Sequence, residues 1–236
     1  MNPDGLYPGR QLFLGMTMSG SPAVAYLVTG RSTASRERKA SPLNNGIIIG
    51  PIGNQAYDPL RHYTGVKYDN TSGIIAVSNG IQTEAIFETY RLLFNTNSLP
   101  TKDYLEKILE GAQAEPDSLH TPRIAGVITQ NNNNEPVFII GIKRYDMSAK
   151  TFRLEATPGT LIGISTYNGN LENPEAFDTG PGLAKIEFRG KTAIELAEHL
   201  FEISKAVYNG DDIRVCAIGG IRSEDKHTWQ VAMRNR

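Results

Sequence analysis

Short apolar runs separated by polar turns dominate the first third of the chain and predict β-strands. Residues 11–17 and 23–28 flank Met18-Ser19-Gly20-Ser21-Pro22, which has the composition of a turn, so together they predict a hairpin. The β-branched run 46–51, which is closed by Gly50 and Pro51, and the run 74–77 predict two further buried strands.

Two amphipathic helices are predicted next, one with Thr83 as its N-cap and one beginning at Thr101. Strands are predicted to resume at 123–128, 137–143, 151–156 and 161–166. A capping box, Thr192-x-x-Glu195, predicts a third helix that ends at Tyr208-Asn209-Gly210, and strands at 213–218 and 228–233 close the chain.

Many strands with helices in only two places lack the strand–helix alternation of a doubly wound fold. The pattern therefore predicts an α+β layered sandwich. No linker, internal repeat or change of composition divides the chain, so we expect one domain over residues 1–236.

Composition narrows the function classes. A formal net charge of −1 provides no basic field for a polynucleotide, so nucleic acid is not an expected partner. No apolar run reaches the roughly 20 residues that a membrane span needs, and the start of the chain lacks the blocks of a signal peptide. With a single cysteine, Cys216, in a predicted buried strand, these features favour the cytoplasm.

The histidines offer no expected metal site, because His62, His120, His199 and His227 are scattered singly, without metal-ligand spacing. Neither a phosphate-binding P-loop nor a dinucleotide-binding glycine motif is present. We therefore expect no metal and no organic cofactor.

Four segments carry the candidate chemistry, each where a predicted strand meets a turn. They are Tyr7-Pro8-Gly9-Arg10, the run 30–36, Ser78-Asn79-Gly80 and Thr121-Pro122-Arg123-Ile124-Ala125. Guanidinium groups among small hydroxyl residues and glycines suit a phosphorylated or carboxylated small molecule.

Each signal also has an ordinary structural interpretation. The run with Arg31, Ser32 and Arg36 can be a solvated basic loop, and Arg123 can form a structural salt bridge. Tyr63 would ordinarily serve packing, and Glu115 would ordinarily be a solvated carboxylate.

The order of the motifs is more specific than any one of them. Tyr7-x-Gly9-Arg10 is followed by Tyr26-x-Val28-x-x-Arg31-Ser32-x-x-x-Arg36, then by Ser78-Asn79-Gly80-x-x-Thr83, Thr121-Pro122-Arg123 and Ser165-Thr166-Tyr167. In this order they resemble the archaeal-type inosine monophosphate (IMP) cyclohydrolase family from Tyr7 to Tyr167.

The resemblance implies a four-layer α/β/β/α fold like that of the N-terminal-nucleophile hydrolases. It implies ring closure of 5-formamidoimidazole-4-carboxamide ribonucleotide to IMP in purine biosynthesis, in a homo-oligomer. By motif position, Arg36, Tyr63 and Glu115 would be catalytic. The groups expected to bind the purine nucleotide are Arg10, Arg31, Ser32, Asn79, Gly80 and Arg123.

Two competing functions fit the same motifs, namely a nucleotide-binding protein without turnover and a hydrolase of a different amide. Amidases of the implied fold form a third class, but they need Cys, Ser or Thr at the mature N-terminus. This chain opens Met1-Asn2-Pro3-Asp4, so such an amidase is excluded unless cleavage exposes another residue.

Overall fold

A computed structural model describes residues 7–54, 56–223 and 228–236, so the predictions for residues 1–6 and for His227 lie outside the described residues. One sheet consists of β1 Arg10–Met16, β2 Pro22–Thr29, β10 Thr160–Ser165, β11 Ala184–Glu187, β14 Arg214–Arg222 and β15 Trp229–Asn235. Its spatial order is β11-β10-β1-β2-β14-β15, and all neighbours are antiparallel. β1 and β2 form the predicted hairpin.

The second sheet is an antiparallel meander in which each strand pairs with the next along the chain. Its members are β3 Arg38–Leu43, β4 Gly46–Pro51, β5 Tyr63–Asp69, β6 Ile74–Ser78, β7 Arg123–Gln130, β8 Pro136–Lys143 and β9 Lys150–Leu154. The sequence pattern did not predict β3 or β5. β3 lies at the edge of the sheet, where a charged segment containing Pro42 is tolerated, and β5 is interrupted by Gly65 and Lys67.

The helices are α1 Thr33–Arg36, α2 Gln82–Asn95, α3 Lys102–Ala112 and α4 Ala193–Ile203. The predicted capping box at Thr192 and Glu195 is confirmed. Thr83 is not an N-cap, because α2 begins one residue before it.

The predicted end of α4 is also wrong. Beyond Ile203 the chain forms a small hairpin of β12 Val207–Tyr208 and β13 Asp211–Asp212. Asn209 and Gly210 make its turn with φ of 51° and 82°, the left-handed backbone that a tight two-residue hairpin turn requires.

Among the described residues, three of the four buried apolar clusters pack the sheets and helices together. One lies between the two sheets and includes Tyr26, Val66 and Ile140. A second packs α2 and α3 against the other face of the meander, and a third packs α4 against the other face of the six-stranded sheet. The structure thus confirms the mixed α+β class.

The ends of several strands from the two sheets lie close together. Ser78 at the end of β6 pairs with Ala125 near the start of β7, and Tyr63 begins the neighbouring strand β5. β1, which begins at Arg10, contacts β7 across the interface between the sheets. None of the described helices is long and apolar enough to cross a membrane.

Candidate active site

A buried carboxylate stands between two arginines at this common end of the strands. The Glu115 side chain is 2% exposed, and its Oε1 accepts hydrogen bonds from Arg10 Nη2 and, at 3.1 Å, from Arg123 Nη1. Asn79 Nδ2 donates to the same oxygen at 3.2 Å. Among the described residues, Oε2 of Glu115 receives no hydrogen bond.

Positive charge exceeds negative charge in this cluster. Two guanidinium groups share one carboxylate, and Nε of each arginine is buried without a hydrogen-bond partner among the described residues. Burial lowers the pKa of Arg123, whereas for Arg10 the effect of burial is overcome by Glu115 and the pKa is raised. Buried, unsatisfied cationic donors favour an anionic or strongly polar ligand.

Asn79 fixes the loop that carries Glu115 to the start of β7. Its Nδ2 also donates to the Pro122 carbonyl at 2.8 Å, and its Oδ1 accepts from the Ile124 amide at 2.9 Å. The Glu115 amide donates to the Thr121 carbonyl at 2.8 Å. These hydrogen bonds fix both ends of the 115–121 loop and so position the Glu115 carboxylate.

Gly80 leaves room for the Arg123 guanidinium. A methyl group at position 80 would lie 2.2 Å from Arg123 Nη1 and 2.8 Å from Gln82 Oε1, closer than real contacts allow. We expect Gly80→Ala to displace Arg123 and to weaken binding of IMP, the nucleotide that the motif resemblance implies, about tenfold, the cost of roughly one good hydrogen bond. Titration calorimetry with IMP measures this.

The matched control for that variant is Gly111→Ala in α3, where an added methyl meets no atom within 4 Å. This change should leave IMP affinity unaltered and stabilise the helix slightly. Equal IMP affinity in the two variants would contradict the role given to Gly80.

A buried tyrosine pair borders the ionic cluster. The hydroxyls of Tyr63 and Tyr26 are 2.7 Å apart. Burial raises the pKa of Tyr63, although the charges of Arg10 and Arg38 oppose the shift, and burial and Tyr63 raise that of Tyr26. Both phenols are therefore neutral at neutral pH and can donate or relay a proton without acting as bases.

An open cavity of about 370 Å³ adjoins Arg10. It is lined by Tyr7, Arg10, Arg31, Ser32, Ser35, Asp117, Leu119, Thr121, Tyr167 and Tyr208. Tyr7 stacks on Tyr167 with ring centroids 5.6 Å apart, and the Arg31 guanidinium lies 5.2 Å from the centre of the Tyr7 ring. Arginine, serine hydroxyls and aromatic faces together suit a phosphorylated, planar ligand.

The cavity wall is held by a hydrogen-bonded chain. The Thr121 hydroxyl donates to Asp117 Oδ2 at 2.6 Å and also pairs with the Tyr167 hydroxyl. Burial raises the pKa of Tyr167 to about 12, which keeps this phenol protonated. Gly9, with φ of 66°, approaches Thr166 and Tyr167 so closely that a side chain there would clash with both.

Arg36 lies apart from this cluster. Its Nη2 donates to Asp211 Oδ2 at 2.5 Å, and its Nη1 donates to the Arg31 carbonyl and, at 3.5 Å, to that of Gly30. Arg36 thus supports the loop whose residues Arg31 and Ser32 line the cavity. The structure brings Tyr63 and Glu115 together around Arg10, and Arg36 makes no contact with either of them.

Comparison with known proteins identifies the family of this chain. The model of a family described as IMP cyclohydrolase-like protein matches residues 7–226. The chain belongs to that family. The match covers the motifs between Tyr7 and Tyr167 and also α4 and β14, where the motifs gave no signal.

Relatives named IMP cyclohydrolase span most of the chain. The protein from Methanocaldococcus jannaschii is 28% identical over 224 residues, covering 91% of this chain and all of that protein. The Thermococcus kodakarensis protein is 27% identical over 226 residues, covering 96% of each chain. The Haloarcula marismortui protein is 27% identical over 221 residues, covering 85% of this chain and all of that protein.

Several groups at the site of this family member were absent from the predicted set. Tyr26 pairs with Tyr63, Asp117 and Tyr167 line the cavity, and Arg38 lies near enough to oppose the pKa shift of Tyr63. A tyrosine within the apolar run of β2 was the available signal for Tyr26, whereas Arg38 resembles any other residue of a solvated basic loop. In the described part of the chain, no three His, Cys, Asp or Glu side chains are grouped to hold a metal ion.

Proposed function

We propose that the protein is an IMP cyclohydrolase, which closes the ring of 5-formamidoimidazole-4-carboxamide ribonucleotide to give IMP and water. The shared name of relatives across most of the chain confirms this predicted activity. The structural observation that carries the proposal is the buried Arg10–Glu115–Arg123 cluster with its surplus positive charge beside an open cavity.

The reaction is a condensation within one molecule. The carboxamide nitrogen attacks the formyl carbon, and the formyl oxygen leaves as water with one hydrogen from the carboxamide nitrogen and one from the formamido nitrogen. Alignment of the two groups can supply roughly 7–11 kcal/mol of the barrier. Rigid placement of the ligand is therefore the first task of the site.

Burial divides the binding roles among the candidate residues. Arg31 and Ser32 line the open cavity and are partly or fully exposed, so they suit the ribose phosphate. Arg10 and Arg123 are buried beside Glu115 and suit the polar edge of the base. Asn79 and Gly80 position these buried groups, Asn79 by its hydrogen bond to Glu115 and Gly80 by leaving space for Arg123.

Glu115 acts as the general base that accepts the proton lost by the carboxamide nitrogen. Arg10, Arg123 and Asn79 hold Oε1, which leaves Oε2 to receive that proton. Tyr63, as a neutral phenol paired with Tyr26, relays a proton toward the departing oxygen. The family resemblance assigns stabilisation of the oxyanion to Arg36, whereas its contacts with Asp211 and two loop carbonyls favour support of the loop.

The finer features of the fold and assembly belong to the same proposal. Two facing sheets with helices on both outer faces support the four-layer α/β/β/α arrangement resembling the N-terminal-nucleophile hydrolases. We infer one domain over residues 1–236. A homo-oligomeric state and a cytoplasmic location rest on the resemblance and on composition.

A turnover assay tests this function against the two competing ones. We expect the protein to convert the formylated ribonucleotide to IMP, followed by the rise of purine absorbance, and to lose at least about 100-fold in kcat/KM with the dephosphorylated nucleoside, because the charged contacts to phosphate are lost. IMP binding without turnover would indicate a nucleotide-binding protein. Equal rates for nucleotide and nucleoside would indicate a different amide hydrolase.

A further inference from the structure

Gln82 is a buried side chain whose amide oxygen has no hydrogen-bond partner among the described residues. It is the first residue of α2 and is 3% exposed. Its Nε2 donates to Asn79 Oδ1 at 3.2 Å, whereas its Oε1 is buried and has no hydrogen-bond partner in the described part of the chain. A buried amide oxygen without a donor is costly unless a ligand supplies one.

The orientation of this amide is fixed by its neighbour. Asn79 Oδ1 must be the acceptor of its own amide, because it receives the Ile124 N–H at 2.9 Å while Nδ2 faces the Pro122 carbonyl at 2.8 Å. Gln82 must therefore turn Nε2 toward Asn79. A flip would set two oxygens against each other, so Oε1 remains an acceptor directed away from Asn79.

Oε1 shares a small space with Arg123. A methyl group built on Gly80 would touch both Arg123 Nη1 and Gln82 Oε1, at 2.2 and 2.8 Å. Arg123 also carries a buried Nε without a partner among the described residues. The unpaired Gln82 Oε1 and the Arg123 guanidinium, whose Nη1 donates to Glu115, thus lie side by side against Gly80.

An amide group complements this pair, because its N–H donor and its acceptor oxygen are attached to the same carbon atom. We propose that Gln82 is a specificity-determining residue, whose Oε1 accepts a hydrogen bond from the amide nitrogen of the ligand while Arg123 donates to the amide oxygen. This proposal rests on the proposed function. The substrate carboxamide supplies both groups, and the product retains them as the ring N–H and carbonyl.

The same contact orients the reacting nitrogen. Of the two hydrogens on the carboxamide nitrogen, the one held by Gln82 stays in the product, and the other leaves toward Glu115. Asn79 links Gln82 and Glu115, since it accepts from Gln82 and donates to Glu115. Gln82 therefore selects ligands with an N–H at this position and disfavours purines that present only ring nitrogen lone pairs.

Binding of two nucleotides to the wild-type protein tests the proposal without any substitution. Titration calorimetry compares IMP with purine ribonucleoside monophosphate, which has the same phosphate and ribose but neither the ring N–H nor the carbonyl. We expect IMP to bind at least about tenfold more tightly, because the analogue leaves buried polar groups unpaired. Equal affinities overturn the proposal.

The variant Gln82→Met keeps the length of the side chain and removes the acceptor. We expect the affinity of this variant for IMP to fall about tenfold, with little change in its affinity for the analogue. The ratio of the two affinities should therefore fall by the same factor. Gln230→Met, at an exposed position in β15, is the matched control and should keep the wild-type preference.

Each outcome separates the role of Gln82 from the function of the protein. If Gln82→Met is folded by circular dichroism and keeps the full preference for IMP, the role of Gln82 is overturned while the cyclohydrolase function stands. If wild-type protein neither binds IMP nor turns over the formylated substrate, the proposed function fails and this inference fails with it.

Discussion

Replacing Glu115 with glutamine should lower kcat for ring closure about 10²–10⁴-fold, the range typical of a lost general acid or base. Glutamine keeps the size of the side chain and an acceptor oxygen for Arg10 and Arg123, but it cannot take up the proton of the carboxamide nitrogen. The rate is measured by purine absorbance at saturating substrate, so that weaker binding does not obscure the chemical step.

The same substitution should also destabilise the protein. Glu115 is buried and neutralises part of the charge of two buried arginines, and removing one member of such a group typically costs about 3–5 kcal/mol. IMP should recover part of this loss by binding the folded state. Glu88→Gln, at a half-exposed carboxylate of α2, is the control and should change neither property. A wild-type kcat for Glu115→Gln would remove Glu115 from the proton transfer.

Arg36→Ala should lower kcat about 100-fold or more if Arg36 stabilises the oxyanion, as the family resemblance implies. The structure offers a competing explanation, since the Arg36 guanidinium bonds to Asp211 and to the carbonyls of Gly30 and Arg31. Loss of those contacts would disturb the loop that carries Arg31 and Ser32, which would raise KM.

The kcat and KM of Arg36→Ala, compared with those of Asp211→Asn, separate the two explanations. Asp211 is 59% exposed, so its ion pair is worth little by itself, and the variant keeps the guanidinium in place. If Arg36 contacts the reacting atoms, Asp211→Asn should stay within about threefold of the wild-type kcat, since a weak ion pair is lost. A raised KM with unchanged kcat in Arg36→Ala would assign Arg36 to support of the loop.

The fold was predictable where the local pattern and the tertiary environment agree. Buried strands such as β4 and β6 are almost purely apolar, and the capping box at Thr192 directly encodes the start of α4. β3 was not predictable, because its pairing with β4 at the sheet edge makes a strand of a sequence that has no apolar alternation. The prediction of where α4 ends was wrong for a similar reason, since the turn at Asn209-Gly210 belongs to the β12–β13 hairpin.

The site was predictable as a set of motifs and less so as a geometry. Sequence order indicated Arg10, Glu115 and Arg123, which the structure joins in one buried cluster. The sequence could not reveal that Oε1 of Glu115 accepts the hydrogen bonds of Arg10, Arg123 and Asn79. Nor could it reveal that Gln82 has an unpaired oxygen. Such facts depend on how separate segments converge, and a glutamine at the start of a helix is ordinary in any sequence.

We propose that the surplus positive charge around Glu115 binds the polar edge of a purine nucleotide. A crystal structure of the protein with IMP tests it most directly. We expect the phosphate beside Arg31 and Ser32, and the six-membered ring within hydrogen-bonding distance of Arg123 and Glu115. IMP bound with its base away from Glu115, or in a cavity that Arg10 does not line, would contradict it.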